Sequence, residues 1–179
     1  MGLKFLADLN DDYQKEIWEV LCEIDDEFVP PLSARESSSQ SNLNDNQQSE
    51  IMEPVSYFKE LKKQQFIIAL SEEEEVQGFM SFKHRYSCQE LAEIGVSNYI
   101  TTIGVKEKFR KQGLAQKMYD YIENLLPKEY QLNYITTRTW STNNIHINIL
   151  EQRGYAKVNV LKDHRGQGID TIYFAKKVF

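Results

Sequence analysis

The 179-residue chain has only two cysteines, Cys22 and Cys88, and neither belongs to a C-x-x-C pair or a Cys/His spacing. This excludes a disulfide framework, a zinc site and a thiol redox pair as organising features, because each needs sulfurs or imidazoles at short, regular intervals. No apolar run approaches the ~20 residues of a membrane span, and Met1-Gly2-Leu3-Lys4-Phe5 lacks the basic region and apolar core of a secretion signal. Leu6 stands where a myristoylation signal carries Ser or Thr. The expectation is a cytoplasmic location with no membrane partner. Positive charge is also scarce, with 21 Lys and Arg against 27 Asp and Glu, a net charge of −6. Duplex binding relies on clustered cations that neutralise phosphates, so nucleic acid is disfavoured as a partner. The surface suits a cationic small molecule or peptide, although a modest negative charge also serves solubility alone.

Ten tyrosines and nine phenylalanines argue against disorder, and the length suits one domain over 1–179 that can bury its own core. Tyr13, Ile17, Leu21 and Ile24 at helical spacing predict a helix over 11–25, with Asp11 and Asp12 at its positive end and Pro30-Pro31 closing it. Residues 37–49 are rich in Ser, Asn and Gln and predict a mobile loop, part of a polar stretch at about 33–50. A second helix starts near Pro54 and is expected to carry Val55, Phe58 and Leu61 toward the core. Phe66–Leu70 and Val76–Phe82 read as a hairpin whose tip, Glu72 to Glu75, is solvated. Tyr99–Val105 alternates as a strand with Thr101, Ile103 and Val105 on one face. A helix follows, marked by Leu114, Met118, Ile122 and Leu125 and stopped by Pro127, and then a strand over Tyr134–Trp140 parallel to the previous one. Ser141 to Asn144 offer caps for a helix ending at Gly154, although Ile145 to Leu150 also alternates like a strand. Residues 155–161 and 169–178 form a closing hairpin around Asp163, Gly166 and Gly168.

The segment Ile103-Gly104-Val105-Lys106-Glu107-Lys108-Phe109-Arg110-Lys111-Gln112-Gly113-Leu114-Ala115 joins that strand to that helix. First-turn amides have no intrahelical acceptor, and with the helix dipole they offer a seat for a diphosphate. Gly113 and Ala115 leave room for close approach, while Lys108, Arg110 and Lys111 add formal charge. The turn has the form Arg/Gln-x-x-Gly-x-Gly/Ala. In this form and position it resembles the acetyl-coenzyme A pyrophosphate loop of the Gcn5-related N-acetyltransferases, the GNAT superfamily. The order of elements from about Leu3 to Phe179 is similar to that family's, and Ser141-Thr142-Asn143-Asn144 through Arg153-Gly154-Tyr155 resembles its Asn-containing helix ending in Gly-Tyr.

The resemblance implies an α+β acyltransferase fold: a mostly antiparallel mixed sheet with a splayed parallel pair formed by the fourth and fifth strands, flanked by helices. It implies acetyl-coenzyme A as cosubstrate and no metal. Ile103, Gly104 and Val105 would meet the pantetheine arm, Arg110, Lys111, Gln112, Gly113, Leu114 and Ala115 the pyrophosphate, and Asn143 the cofactor's amide region. The implied reaction is direct acetyl transfer to an amine of a small molecule. Protein or peptide acceptors, or a non-catalytic coenzyme A-binding module, are the alternatives, and a second copy of the chain is a candidate partner.

Two family positions depart from the pattern. Thr101 stands where many members carry an acidic base, and Leu150 where many carry a tyrosine acid. An alkylamine of pKa ~10 must shed a proton before it attacks. His146, four residues before Leu150 and on the same helical face, is a substitute, or else it only packs near the cofactor. Glu93 is a second candidate base or a surface carboxylate, and Tyr99 a candidate acid or a core residue. For the acceptor, Arg35 is either a carboxylate grip or a solvated loop arginine, and Trp140 either a pocket wall or core.

Overall fold

Strand alternation and helical spacing sort the chain into a seven-stranded sheet with helices on both faces. The computed structural model describes residues 2–43 and 53–179, so the polar tract beyond residue 43 lies outside the described residues. In chain order the elements are β1 Gly2–Leu6, α1 Asp11–Glu23, α2 Val55–Leu61, β2 Gln65–Leu70, β3 Val76–Tyr86, β4 Ser97–Val105, α3 Leu114–Asn124, β5 Tyr134–Trp140, α4 Asn144–Gln152, β6 Ala156–Leu161 and β7 Thr171–Lys177. The strand order is β1-β2-β3-β4-β5-β7-β6, and every pairing is antiparallel except β4 with β5. A helix between two strands is the ordinary crossover for such a parallel pair, which is the role α3 takes.

Each face has its own core. Ile17, Val20 and Leu21 of α1 with Tyr57 and Leu61 of α2 pack on Phe66, Ile68 and Phe79. On the other face Met118, Tyr119 and Ile122 of α3 with Ile147 and Leu150 of α4 pack on Ile67, Met80, Phe82 and Ile135. The alternation in α4 does not produce a strand. Ile147 and Leu150 are buried at helical spacing while Ile145 is 78% exposed, Asn143 Oδ1 accepts from the His146 amide, and Gly154 takes a φ of +82° to end the helix. The first helix stops at Glu23, short of the expected boundary and well before Pro30, and a 3-10 turn over Asp25–Glu27 follows. The Asp25 carboxylate accepts from both the amide and the hydroxyl of Ser33, which draws the chain off the helix axis.

The described part of the polar tract is held against the sheet. Ser38 and Leu43 are buried. The carbonyls of Ser38 and Gln40 accept from Arg138, and the Ser41 carbonyl is bonded to His164. The tip of the β2–β3 hairpin is solvated at Glu72 to Glu74, whereas Glu75 reaches across to Lys106 and Lys108.

Two features of β4 position the site. First, Ser81 pairs with Thr102 and Phe82 with Ile100, leaving Thr101 without a counterpart. This bulge breaks the alternation, so Thr101 does not continue the row of Ile103 and Val105. Its hydroxyl bonds Ser81 and Gln64 instead. Second, pairing of β4 with β5 runs only from Asn98–Ile135 to Ile100–Thr137 and stops where the bulge begins. Beyond it the strands separate. Gly104 lets α1 lie over β4 at this point, since a Cβ there would stand 2.5 Å from Ile24 Cδ1 and 3.2 Å from Val20 Cγ1.

Candidate active site

The gap between β4 and β5 opens a cavity of about 370 Å³ that passes through the sheet. On the α3 and α4 side it is bordered by Ala115, Tyr119, Asn143, His146 and Ile149, and on the α1 side by Ile24, Glu27, Phe28, Arg138 and Trp140. The Lys106 amide donates to Gln77 on β3, so by alternation the peptide groups of Val105 and Ile103 point the other way, into the gap. The Val105 carbonyl there accepts from Arg110 Nε at 3.0 Å.

At the mouth of the gap the chain turns into α3 with positive φ at Lys111 (60°) and Gly113 (75°). The first backbone bond of the helix is Lys117 N–H to the Gly113 carbonyl. The amides of Lys111, Gln112, Gly113, Leu114, Ala115 and Gln116 have no acceptor among the described residues. A run of six such N–H groups at a helix start, folded by left-handed residues, forms a cradle with the donors and dipole to seat an anion. Glycine is needed at 113 for its φ, and a Cβ there would meet no protein atom within 4 Å, so the cradle stays open. The basic side chains contribute less than their number suggests. Arg110 Nη2 is 2.6 Å from Glu27, and Lys108 is 2.7 Å from Glu75. The hydrogen bond from Lys108, with help from Lys106, holds the Glu75 carboxyl below its usual range. Only Lys111 of the three is without an ion pair among the described residues.

His146 Nε2 lies 2.7 Å from the Tyr119 hydroxyl. Burial lowers the imidazole to about 4 and raises the phenol, so both are neutral at pH 7. Nδ1 has no partner among the described residues, which leaves it as the free position of the ring. Asn143 caps α4 with Oδ1 and donates from Nδ2 to Thr139. Thr101 borders the cavity, and Leu150 is fully buried in the core behind it.

Of the other sequence candidates, Tyr99, Glu93 and Arg35 lie away from the cavity. Tyr99 is 1% exposed, stacked on Tyr86 in a cluster with Leu91 and Tyr173, and does not border the cavity. Glu93 is exposed ahead of β4, also away from it. Arg35 is buried, with Nε and Nη2 both donating to the Pro30 carbonyl, and its guanidinium lies over the Phe28 ring. Trp140 does border the cavity, tilted against Phe28 with 5.6 Å between ring centroids. The sequence reading missed Tyr119, Phe28 and Arg138. Arg138 carried a signal, a cation inside an otherwise β-type run. Tyr119 carried none, since it sits one residue beyond the periodic Met118.

Among the described residues no cluster of His, Cys, Asp or Glu could hold a metal, and no helix is long and apolar enough to cross a membrane. A comparison with curated protein sequences gives no match. Solved structures share the fold. An aminoglycoside 6'-N-acetyltransferase complexed with coenzyme A superimposes with a TM-score of 0.66 at 13% identity, covering 100% of this chain and 98% of that one. An acetyltransferase of the GNAT family from Bacillus cereus gives 0.59 at 14%, covering 100% and 99%. A Bacillus anthracis protein assigned as a streptothricin acetyltransferase, in complex with acetyl coenzyme A, gives 0.52 at 20%, covering 64% and 62%. The sequence model described as the acetyltransferase (GNAT) domain matches residues 37–172, which contain the splayed strands, the amide cradle and the capped α4 helix, and the chain accordingly belongs to the GNAT acetyltransferase family.

Proposed function

We propose that this chain transfers the acetyl group of acetyl-coenzyme A directly to the amine of a small molecule. The observation that carries the reading is the run of six amides from Lys111 to Gln116, unpaired among the described residues, at the mouth of the β4–β5 gap. The cosubstrate's diphosphate would take these donors, assisted by Lys111 and by Arg110 if its pairing with Glu27 yields. Peptide groups of Ile103 and Val105, on either side of Gly104, would bind the pantetheine arm along the edge of β4, and Asn143 its far amide. The solved relatives bound to coenzyme A or acetyl coenzyme A support the choice of ligand.

In the reaction the amine nitrogen forms a bond to the thioester carbon and the carbon–sulfur bond breaks, while nitrogen sheds a proton and sulfur gains one. In the tautomer that donates Nε2–H to the Tyr119 oxygen, Nδ1 keeps a lone pair, and that lone pair would take the amine proton. An imidazolium with a pKa of about 4 passes that proton to water at once, so His146 works as a relay and holds no charge between turnovers. Tyr119 is a positioning residue that orients the ring. Tyr99 and Glu93 have no place in this mechanism, because neither borders the cavity.

Titration calorimetry with coenzyme A and acetyl-coenzyme A tests the reading. Saturable heat is expected, and Gly113→Val should abolish it by forcing a β-branched residue to a φ of +75° and filling the cradle. No heat with the unaltered protein overturns the proposal. Thiol release with a panel of amines then separates an enzyme from a non-catalytic coenzyme A-binding module, which the buried Leu150 in place of an acid would favour.

A further inference from the structure

The α1 side of the cavity differs in charge from the acidic molecule around it. Glu27, Arg110 and Arg138 are the formally charged residues bordering the cavity, and the first two neutralise each other. Arg138 meets only neutral acceptors: Nη1 donates to the Tyr173 hydroxyl at 3.2 Å, and Nη2 to the carbonyls of Ser38 at 3.1 Å and Gln40 at 2.9 Å. Its Nε has no partner among the described residues. Two more guanidiniums stand behind the aromatic wall. Arg35 lies 5.5 Å from the Phe28 ring centroid, and Arg165 lies 5.5 Å from that of Trp140. Arg165 donates to Thr171 Oγ1 and to the Val29 carbonyl. Both are buried, at 5% and 6% exposed.

Among the described residues none of these three arginines forms an ion pair. The surrounding phenols do not compensate, since burial raises Tyr57, Tyr99 and Tyr173 and keeps them neutral at pH 7. Asp25 is the carboxylate that faces Arg35, and its oxygens are bonded to the Ser33 amide and hydroxyl. Burial lowers Arg35 to about 10 and Arg165 to about 9, with the other arginines adding to the effect. All three remain charged at neutral pH. Tethering the carbonyls of Val29, Pro30, Ser38 and Gln40 does not require charge, because neutral amide donors could do it. Three like charges in a low-dielectric wall are costly unless an anion joins them.

Arg138 follows Thr137, the last residue of β5 paired to β4, so it stands at the floor of the gap. From Ile100 opposite Thr137 to Val105 beside the amide cradle, five residues of extended chain span about 16 Å. The arginine cluster and the cradle are thus separate anion sites at opposite ends and opposite faces of one cavity. We propose that the acceptor carries an oxyanion group, a carboxylate or phosphonate, in addition to its amine, and that Arg138 grips this group while Arg35 and Arg165 strengthen the local positive field. This rests on the acetyl-transfer reading above and names the acceptor class. It runs against the cationic acceptor that net charge alone suggests, because a ligand responds to the field in the cavity, which low-dielectric walls focus, and not to the molecular sum.

The test uses the full chain saturated with coenzyme A and matched ligand pairs, so that turnover is not required for a result. N-acetyl amino acids with small, aromatic and acidic side chains are titrated against their neutral C-terminal amides, with N-acetyl aminoalkylphosphonates as a third arm. The free amino acids, amino amides and aminophosphonates are assayed as acceptors. Either oxyanion form should bind at least tenfold tighter than the amide, the order of one lost charge-assisted hydrogen bond. The arm that binds tighter identifies which oxyanion is used. Arg138→Gln should reduce the preference to within about threefold by raising KM for the acidic acceptor, and Arg138→Lys should restore part of it. Coenzyme A affinity, unchanged in both variants, verifies that they are folded. Equal or tighter binding of the amides, or a preference that survives Arg138→Gln, overturns the inference while leaving acetyl transfer standing. Absence of coenzyme A binding by the unaltered chain removes both.

Discussion

The Tyr119–His146 pair makes a specific demand on stability as a function of pH. In the folded chain the imidazole has a pKa of about 4 because burial disfavours its charged form. In the unfolded chain it returns to ~6.5. Between those values the unfolded state binds more protons than the folded one, so stability is complete above ~6.5 and falls as pH drops toward 4. At pH 5 the cost is RT ln[(1 + 10^1.5)/(1 + 10^−1)], about 2 kcal/mol, and it approaches about 3.4 kcal/mol once pH is below both values. For a chain of this length 2 kcal/mol corresponds to a shift in Tm of about 4–8 °C. The perturbation is His146→Gln, which keeps a polar group within reach of Tyr119 but has no titration in this range. Thermal unfolding followed by circular dichroism at pH 7.5 and pH 5.0 should show the unaltered protein losing about 2 kcal/mol more than the variant. His84 and His164 are common to both proteins and cancel in the comparison. The same variant should turn over more slowly with its coenzyme A affinity intact. Parallel pH profiles for the two proteins would refute the buried neutral imidazole and, with it, the relay assigned to His146.

Two further outcomes concern the scaffold. Glu123 is 4% exposed and accepts from Arg153 of the α4 terminus and Lys176 of β7. Glu123→Ala removes the carboxylate partner of Lys176 and one of the two on Arg153, which keeps Asp120 and Gln116, so it should cost about 1–3 kcal/mol in urea unfolding, and a loss under about 0.5 kcal/mol would contradict it. Burial alone would raise that carboxyl, but the bonds from Arg153 and Lys176 outweigh it and hold it low. Its contribution is therefore present above the ordinary carboxylate pKa and lost on acidification below it. Gly104→Ala places a methyl 2.5 Å from Ile24 Cδ1 and should destabilise the chain by about 1–3 kcal/mol as α1 is pushed off β4. An unchanged Tm would show that Ile24 rotates away freely.

Sequence alone determined whatever depends on neighbours along the chain. The helical spacing of Leu114, Met118 and Ile122, the strand over Tyr134–Trp140 and the breakers Pro127 and Gly154 were legible because local periodicity and backbone preference decide them. The unpaired amides that open α3 were legible for the same reason, since the first turn of a helix has no intrahelical acceptor for its N–H groups. Element ends set by distant bonds were not. α1 stops at Glu23 because Asp25 reaches Ser33, and Ser38 to Ser41 are held to the sheet by residues about a hundred or more positions away. Long-range packing also decided the charge and composition of the site. It neutralised Arg110 with Glu27 and Lys108 with Glu75, carried Tyr99 into the core and brought Tyr119 to His146. It also gathered Arg35, Arg138 and Arg165 around Phe28 and Trp140 in a chain whose net charge is −6. Net charge is a sum over the whole chain, whereas the potential in a cavity depends on which charges folding brings within a few ångströms and which it removes from water, and only the tertiary structure specifies that.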